Sequence, residues 1–322
     1  MITNNNNMNK QLLTVFTPSY NRADLLPRGY KALLRQTSHN FCWIIIDDGS
    51  KDNTRELVRS WFEPTSMKEE GDHIIGVSKD APWLQMHYCY KENGGLHTGY
   101  NKAIELMDTE ICVCIDSDDY MPDDAVEIIV NFWDKHRNAD IAGFIGLDYY
   151  DGKDEPIGGH LEVVTEPIHL AELTSKLYHY GDTKMVLRVD LLKEVAPQPS
   201  FSGEKNFNPI YMIMLVDQKH PFLTIDKNLC FVDYQDSGMA ANIFRQYANS
   251  PKSFAAMRLV SMRQPKITIR RFIIENLHYV ADKFLAKEGV KVWSEGAPKF
   301  WAMILFLPGW LLSKYITYKS KH

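Results

Sequence analysis

Three aspartates in four positions, Asp116, Asp118 and Asp119, follow directly on the apolar residues 111–115 in the stretch ICVCIDSDDYMPDD. Carboxylates packed this closely repel one another unless a cation lies among them. Hard oxygen ligands suit Mg²⁺ or Mn²⁺, and Mg²⁺ is commonly held by one or two carboxylates together with substrate phosphates. The competing reading is a solvated acidic turn that caps the next helix. Three further polar clusters carry groups able to touch a ligand: TPSYNR (17–22), DDGSKDNT (47–54) and KENGGLHTGYNKAIE (91–105). In the second, Asp47 or Asp48 could accept a hydrogen bond from a base N–H. In the third, Gly94 and Gly95 let the backbone approach a ligand closely.

The rhythm of the chain determines where these clusters meet. LLTVF (12–16), FCWIII (41–46), MHYCY (86–90), ICVCI (111–115) and IAGFIGL (141–147) read as strands. Amphipathic stretches at 22–36, 52–62, 95–107 and 123–136 read as the helices between them. Such alternation implies right-handed βαβ units and a parallel sheet covered on both faces. In such sheets ligands bind beyond the carboxyl ends of the strands, where all four polar clusters fall. Pro18 ends the first strand, and Asn21 is placed to cap the next helix. Segment 63–82, broken by Pro, Gly and charge, reads as an inserted surface excursion. After 150 the rhythm weakens: 151–159 is loop-like, 167–178 reads as a helix, 180–240 is mixed, and the chain beyond 251 is helical and more basic. Neither GxxxxGK[ST] nor GxGxxG is present in the expected place, which removes support from P-loop and dinucleotide readings.

With 45% hydrophobic and 24% charged residues, the 322-residue chain is globular. Its net charge of −5 argues against nucleic acid as a partner. Five cysteines without a CxxC pair point to a reducing compartment, with Cys112 and Cys114 as packing residues. The start MITNNNNMNK lacks the apolar core of a signal peptide, so a cytoplasmic location is expected, with residues 1–10 as a frayed tail. FWAMILFLPGWLL (300–312) falls short of the roughly 20 residues of a membrane-spanning helix. Together with Trp293, Trp301 and Trp310 and with Lys299, Lys314, Lys319 and Lys321, it fits a segment lying peripherally on the inner face of a membrane. A helix docked on the core fits equally.

TPSYNR, IIIDDGSKDNT, NGGLHTGYNKAI and CIDSDDYMPDD, in this order and spacing, resemble the motifs of the family-2 glycosyltransferases over roughly residues 10–240. The resemblance implies an α/β fold of the GT-A type: a Rossmann-like, mostly parallel sheet flanked by helices. Residues 11–240 would form this domain and 241–322 a helical C-terminal extension. It implies inverting transfer of a sugar from a nucleotide-sugar donor, UDP-linked by family habit, to a glycan or lipid-linked acceptor, assisted by Mn²⁺ or Mg²⁺. Carried over onto this sequence, Thr17, Pro18, Tyr20, Arg22, Asp47 and Asp48 face the nucleoside. Asn93, Gly94, Gly95, Asn101 and Ser117 complete the donor contacts. Asp116 and Asp118 contact ribose and metal, with Asp119 as a third member. The family commonly carries its base in a Glu-Asp pair; here, in FSGEKNF, Lys205 stands in place of the aspartate. Glu204 is then the candidate base and Asp182, in YGDTK, the alternative. Tyr234, Gln235 and Ser237 resemble the segment that closes over the donor. His97 reads either as a donor contact or as structural, and the isolated His160 and His220 read as structural. Two other classes stay open: a sugar-nucleotide-binding scaffold that has lost its base, and a nucleotidyltransferase, whose glycine-rich basic loop TPSYNRADLLPR matches poorly.

Overall fold

The computed structural model of the protein describes residues 11–162, 166–233, 243–292 and 298–321. The first half runs β1 (Leu13–Ser19), α1 (Leu26–Leu34), β2 (Phe41–Asp47), α2 (Thr54–Arg59), β3 (Lys68–Glu70), β4 (His73–Val77), β5 (Gln85–Tyr90), α3 (Leu96–Leu106), β6 (Ile111–Cys114) and α4 (Ala125–His136). Then come β7 (Gly143–Tyr150), α5 (Leu170–Ser175), β8 (Thr183–Arg188), α6 (Val189–Val195), α7 (Ile210–Asp217) and β9 (Phe222–Val232). Helices α8 (Ile243–Asn249), α9 (Pro251–Ser261), α10 (Ile269–Leu285), α11 (Lys299–Ile304) and α12 (Phe306–Lys319) close the chain.

The nine strands form one sheet in the order β3-β4-β5-β2-β1-β6-β8-β7-β9. Strands β5, β2, β1 and β6 are a parallel block, with Leu13 opposite both Phe41 and Ile111. Every residue of β1 is buried, as parallel strands covered on both faces must be. Alternating side chains divide the core. Leu13, Val15, Trp43 and Ile45 pack with Leu26 and Tyr30 of α1 and Ile129 and Trp133 of α4 on one face. Phe16, Ile44 and Ile46 pack with Ala103 and Ile104 of α3 and Met212 of α7 on the other. This is the expected GT-A-type α/β architecture with helices on both faces.

Three details differ from the sequence reading. Segment 63–82 contains β3 and β4, which extend the sheet antiparallel from β5 with Ile74 fully buried. Its charged residues sit on an outer hairpin, where charge protects a free sheet edge. Asn21 does not cap α1. It adopts φ 51°, and its Oδ1 accepts from the Lys51 N–H at 2.8 Å, tying the 17–22 turn to the 47–54 turn. Helix α1 starts instead after Leu25, with Pro27 in its first turn. Finally β8 and β9 are both absent from the expected strands: β8 lies antiparallel between β6 and β7, and β9 pairs with β7 at the edge of the sheet.

The C-terminal helices have a small core of Ala255, Met262, Tyr279, Val280 and Ala302. A buried cation holds α9 to α10: Arg258 lies 2.9 Å from Glu275 and 3.7 Å from Asp282. Helix α12 buries Gly309, Ser313 and Ile316, with Gly309 against Val280 and Ala281 of α10. It turns Leu307, Leu311 and Tyr318 outward, and Phe300 and Met303 of α11 are exposed as well. Among the described residues no helix is long and apolar enough to cross a membrane. The expected domain boundary near 240, Tyr234, Gln235, Ser237 and Trp293 lie outside the described residues.

Candidate functional site

The carboxyl ends of β1, β2 and β6 lie side by side, so the loops that follow them meet. Asp47 closes its own turn: Oδ1 accepts from the Ser50 N–H at 2.8 Å and Oδ2 from the Tyr88 hydroxyl at 2.6 Å. Asp48 organises the 91–98 loop. Its carboxylate accepts from the N–H groups of Gly94 (3.0 Å) and Gly95 (2.9 Å), from Asn93 Nδ2 (3.2 Å) and from the Lys91 ammonium. Both aspartates are buried. The sequence reading placed them against a nucleoside; in the structure both carboxylates have partners inside the protein and set the shape of the loops. Thr17 is likewise buried, accepting from Trp43 Nε1 at 3.0 Å, and Pro18 is buried beside it in β1. Tyr20 and Arg22 stay exposed beyond the end of β1.

Gly95 is required where it is. At φ +95° its backbone approaches residue 205 so closely that a Cβ would lie 2.0 Å from the Lys205 carbonyl oxygen. Lys205, standing in place of the family's aspartate, donates from Nζ to Asn93 Oδ1 at 2.7 Å. Asn101 is committed to the backbone of Gln198 in both directions, at 2.9 and 2.8 Å. His97 is buried with Nε2 3.0 Å from Ser200 Oγ, in keeping with a structural role.

The acidic turn opens onto a cavity of about 600 Å³ whose lining includes Asp116, Asp119, Asp148, Asp182 and Lys184. Strand β8 makes this possible. Its antiparallel register with β6 pairs Ile111 with Arg188 and Val113 with Val186; continued past the end of β6, it brings residue 116 opposite 183. Asp182 is thus delivered beside the acidic turn. Gly181 lets the strand's lead-in pass close to the turn at 157–158, where a Cβ would meet the Ile157 carbonyl oxygen at 1.8 Å. Ser117 is buried between Asp116, exposed to the cavity, and the half-buried Asp118.

Lys184, nine-tenths buried, has its Nζ 3.6 Å from Asp148 and 4.0 Å from Asp119. Burial pushes the Asp119 carboxyl up to about 7 and that of Asp148 up to about 6, against the pull of the ammonium. For Lys184, burial works against the charge, but Asp148, Asp119 and Asp116 overcome it and hold the lysine well above its ordinary range. The low-dielectric cavity walls also push the Asp116 carboxyl up; Asp118 and Asp182 add repulsion, which Lys184 opposes. Arg28 braces the acidic turn from behind, donating to the Asp118 carbonyl and lying 2.7 Å from Asp151 and 3.3 Å from Asp233.

Glu204 is not among the residues lining the cavity. Its carboxylate accepts from the Lys252 N–H (3.0 Å), the Ser253 N–H (2.8 Å) and the Ser253 hydroxyl (2.7 Å), capping the first turn of α9. Sequence reasoning missed Lys184 and Asp148. Asp148 directly follows the apolar run IAGFIGL, as Asp47 and Asp116 follow theirs, and that signal was readable. Lys184 had none, because β8 joins the sheet only through long-range pairing.

Among the described residues no group of three or more His, Cys, Asp and Glu side chains is arranged to hold a metal ion. Asp116 and Asp118 offer two hard carboxylates, a set that fits Mg²⁺ or Mn²⁺ when diphosphate oxygens complete the shell.

A mixed nine-stranded sheet with an acidic cavity at the ends of its parallel strands is an α/β architecture of the GT-A type. Residues 14–196 match the model of glycosyl transferase family 2, and the chain belongs to that family. It is 28% identical over 123 residues to Bacillus subtilis TuaG, named as a candidate teichuronic acid biosynthesis glycosyltransferase; the match covers 38% of this chain and 42% of TuaG. The chain spans less than half the length of the curated relatives it matches first. S. aureus TarS 1–349, solved in complex with UDP-GlcNAc, is similar in fold: TM-score 0.59 at 15% identity, covering 96% of this chain and 88% of that one. The mannosyltransferase PcManGT from Pyrobaculum calidifontis, solved with GDP-Man and Mn²⁺, gives 0.53 at 16% identity, covering 95% and 84%.

Proposed function

We propose that the protein is an inverting, metal-assisted glycosyltransferase. It moves a sugar from a nucleotide-sugar donor, with UDP the leading candidate, to a hydroxyl of a glycan or lipid-linked acceptor in polysaccharide biosynthesis. The observation that carries this reading is the cavity shared by Asp116, from the end of β6, and Asp182, from the start of β8. Family membership supports it, as do the UDP-GlcNAc and the GDP-Man and Mn²⁺ named for the two structural neighbours and the teichuronic acid biosynthesis named for TuaG.

Asp182 is the base in this reading, since Glu204 caps α9. It takes the proton of the acceptor hydroxyl as that oxygen bonds to the anomeric carbon on the face opposite the leaving group. The bond from that carbon to the diphosphate oxygen breaks, and its electron pair leaves with the nucleoside diphosphate, so the anomeric configuration inverts. Asp116 and Asp118 are the residues that would hold Mg²⁺ or Mn²⁺; a bound ion supplies positive charge for the departing diphosphate. Residues 91–98, positioned by Asp48, and 17–22, tied to the 47–54 turn, frame the donor side. Residues 11–240 constitute the transferase domain and 241–322 its helical extension.

Thermal denaturation with UDP and Mn²⁺ tests the donor site. At a hundredfold excess over Kd, stabilisation is about 2.7 kcal/mol, a rise in Tm of roughly 4 °C for a chain of this length, and chelator removes it. No shift with any nucleoside diphosphate would overturn the reading.

Helices α11 and α12 dock on α10 but keep large apolar side chains, Phe300, Met303, Leu307, Leu311 and Tyr318, on their outer face. With Lys299, Lys314 and Lys319 on these helices, it fits a cytoplasmic protein resting on the inner surface of an anionic membrane. Leu307→Glu with Leu311→Glu, both at exposed positions, is expected to abolish co-flotation with phosphatidylglycerol vesicles. Undiminished flotation would remove this face from the contact.

A further inference from the structure

Asp116, Asp119, Asp148 and Asp182 line the acidic cavity, and Lys184 is the one cation among the described lining residues. The lysine enters from β8, opposite Gly146 of β7. Its Nζ lies 3.6 Å from Asp148 Oδ1 and 4.0 Å from Asp119 Oδ2, so one ammonium spans a carboxylate of β7 and a carboxylate of the acidic turn. Lys184, Asp119 and Asp148 are all nine-tenths or more buried. Charges taken out of water at this depth persist only when they are paired. A buried ammonium between two carboxylates does for them what a divalent ion does elsewhere.

The affinity of a carboxylate site for a divalent ion depends on how many charged oxygens are free to meet it. Asp119 and Asp148 are committed to Lys184, which leaves Asp116 and Asp118. The ammonium so close by also repels a second cation. Mn²⁺ and Mg²⁺ take about six oxygens, so two carboxylates form a partial shell that diphosphate oxygens and water must complete. The arrangement agrees with this, because no group of three or more such ligands converges on one point among the described residues.

We infer that Lys184 is a resident counter-cation that makes metal binding conditional on the nucleotide: it withholds Asp119 and Asp148 from a divalent ion, so that Mn²⁺ or Mg²⁺ is retained only together with a diphosphate. The inference rests on the transferase reading for the diphosphate, and on the ion pairs alone for the withheld carboxylates. The ion then departs with the nucleoside diphosphate after each transfer, and the lysine continues to offset the carboxylates that remain.

Titration of the full-length protein with Mn²⁺ tests it, at about pH 8, which favours ionised carboxylates. Free ion is read by electron paramagnetic resonance, with and without UDP, and the Mn²⁺ bound by UDP alone is subtracted. Native protein is expected to hold Mn²⁺ at least about tenfold more tightly with UDP than without it. Lys184→Met keeps the length of the side chain and removes its charge. It is expected to raise the nucleotide-free affinity for Mn²⁺ by roughly 10–100-fold, whereas Lys184→Arg should leave it at the native value. Adding Asp148→Asn to Lys184→Met should reverse most of the gain. Without metal the Lys184→Met protein should melt below the native protein, and Mn²⁺ alone should restore it. Lys184→Gln provides a second neutral variant should the first fail to fold. The same nucleotide-free affinity in the native protein and a folded neutral variant, or an equal gain in folded Lys184→Arg, would overturn the inference. No uptake of Mn²⁺ by the native protein with UDP would instead fail the transferase reading, and a gain in the neutral variants would still support the withheld carboxylates.

Discussion

Asp182→Asn is expected to lower the transfer rate by about 10²–10⁴-fold, the usual worth of a positioned general base. The stabilisation by UDP and Mn²⁺ should survive, because the substitution leaves Asp116 and Asp118 untouched. Glu204→Gln should behave in the opposite way. The glutamine keeps the shape but loses the charge that attracts the N–H groups of Lys252 and Ser253 at the start of α9. The expected loss is about 1–3 kcal/mol of stability, read as a lower Tm, with turnover per folded molecule unchanged. The pair of variants decides between the two carboxylates. A folded Glu204→Gln protein without transfer, beside an active Asp182→Asn protein, would return the role of base to Glu204.

The second large effect is on the acidic turn. Asp116→Asn and Asp118→Asn should each reduce kcat/KM by at least about 100-fold, since several kcal/mol of charge stabilisation are removed from the leaving diphosphate. Each should also abolish the Mn²⁺-dependent rise in Tm with UDP. The empty Asp116→Asn protein should nevertheless melt at or above the temperature of the native protein. Asp116 lies in a cavity with Asp119, Asp148 and Asp182, and Lys184 is the one cation among the described lining residues, so removing one carboxylate relieves repulsion. Stability given up at a site for the sake of its ligand is a common pattern. Retention of UDP and Mn²⁺ stabilisation by the folded variants would move the metal elsewhere.

The parallel block was readable because strands buried on both faces appear as unbroken apolar runs such as FCWIII and ICVCI. Aspartates at their ends then pointed to the edge of the sheet where the acidic cavity lies. What was not readable depends on contacts far apart in sequence. TKMVLR has no distinctive pattern of its own, and only pairing with β6 and β7 makes it β8 and brings Lys184 among the carboxylates. The outer hairpin β3–β4 was hidden by the charges that suit a free edge. Asp47 and Asp48 show a different limit. A carboxylate at a strand end can face a ligand or hold a loop, and the choice depends on which donors the fold brings to it: Tyr88 and Ser50 for one, Lys91 and the N–H groups of residues 94 and 95 for the other. Glu204 illustrates the same point, because its partners lie some fifty residues downstream.

The segment 204–206 has a consequence for how separable the two halves of the chain are. On one side the Lys205 carbonyl abuts Gly95 and its ammonium binds Asn93. On the other, Glu204 holds the start of α9, and Asn206 donates to Gln246 of α8 at 2.6 Å. Three consecutive residues therefore rivet the loop that frames the donor to the helical extension. A catalytic half cut off ahead of α8 would lose every partner on one side of that rivet. Although the family match ends at residue 196, a protein truncated ahead of Ser253 is expected to melt at a lower temperature than the full chain, because it loses these contacts of residues 204 and 206.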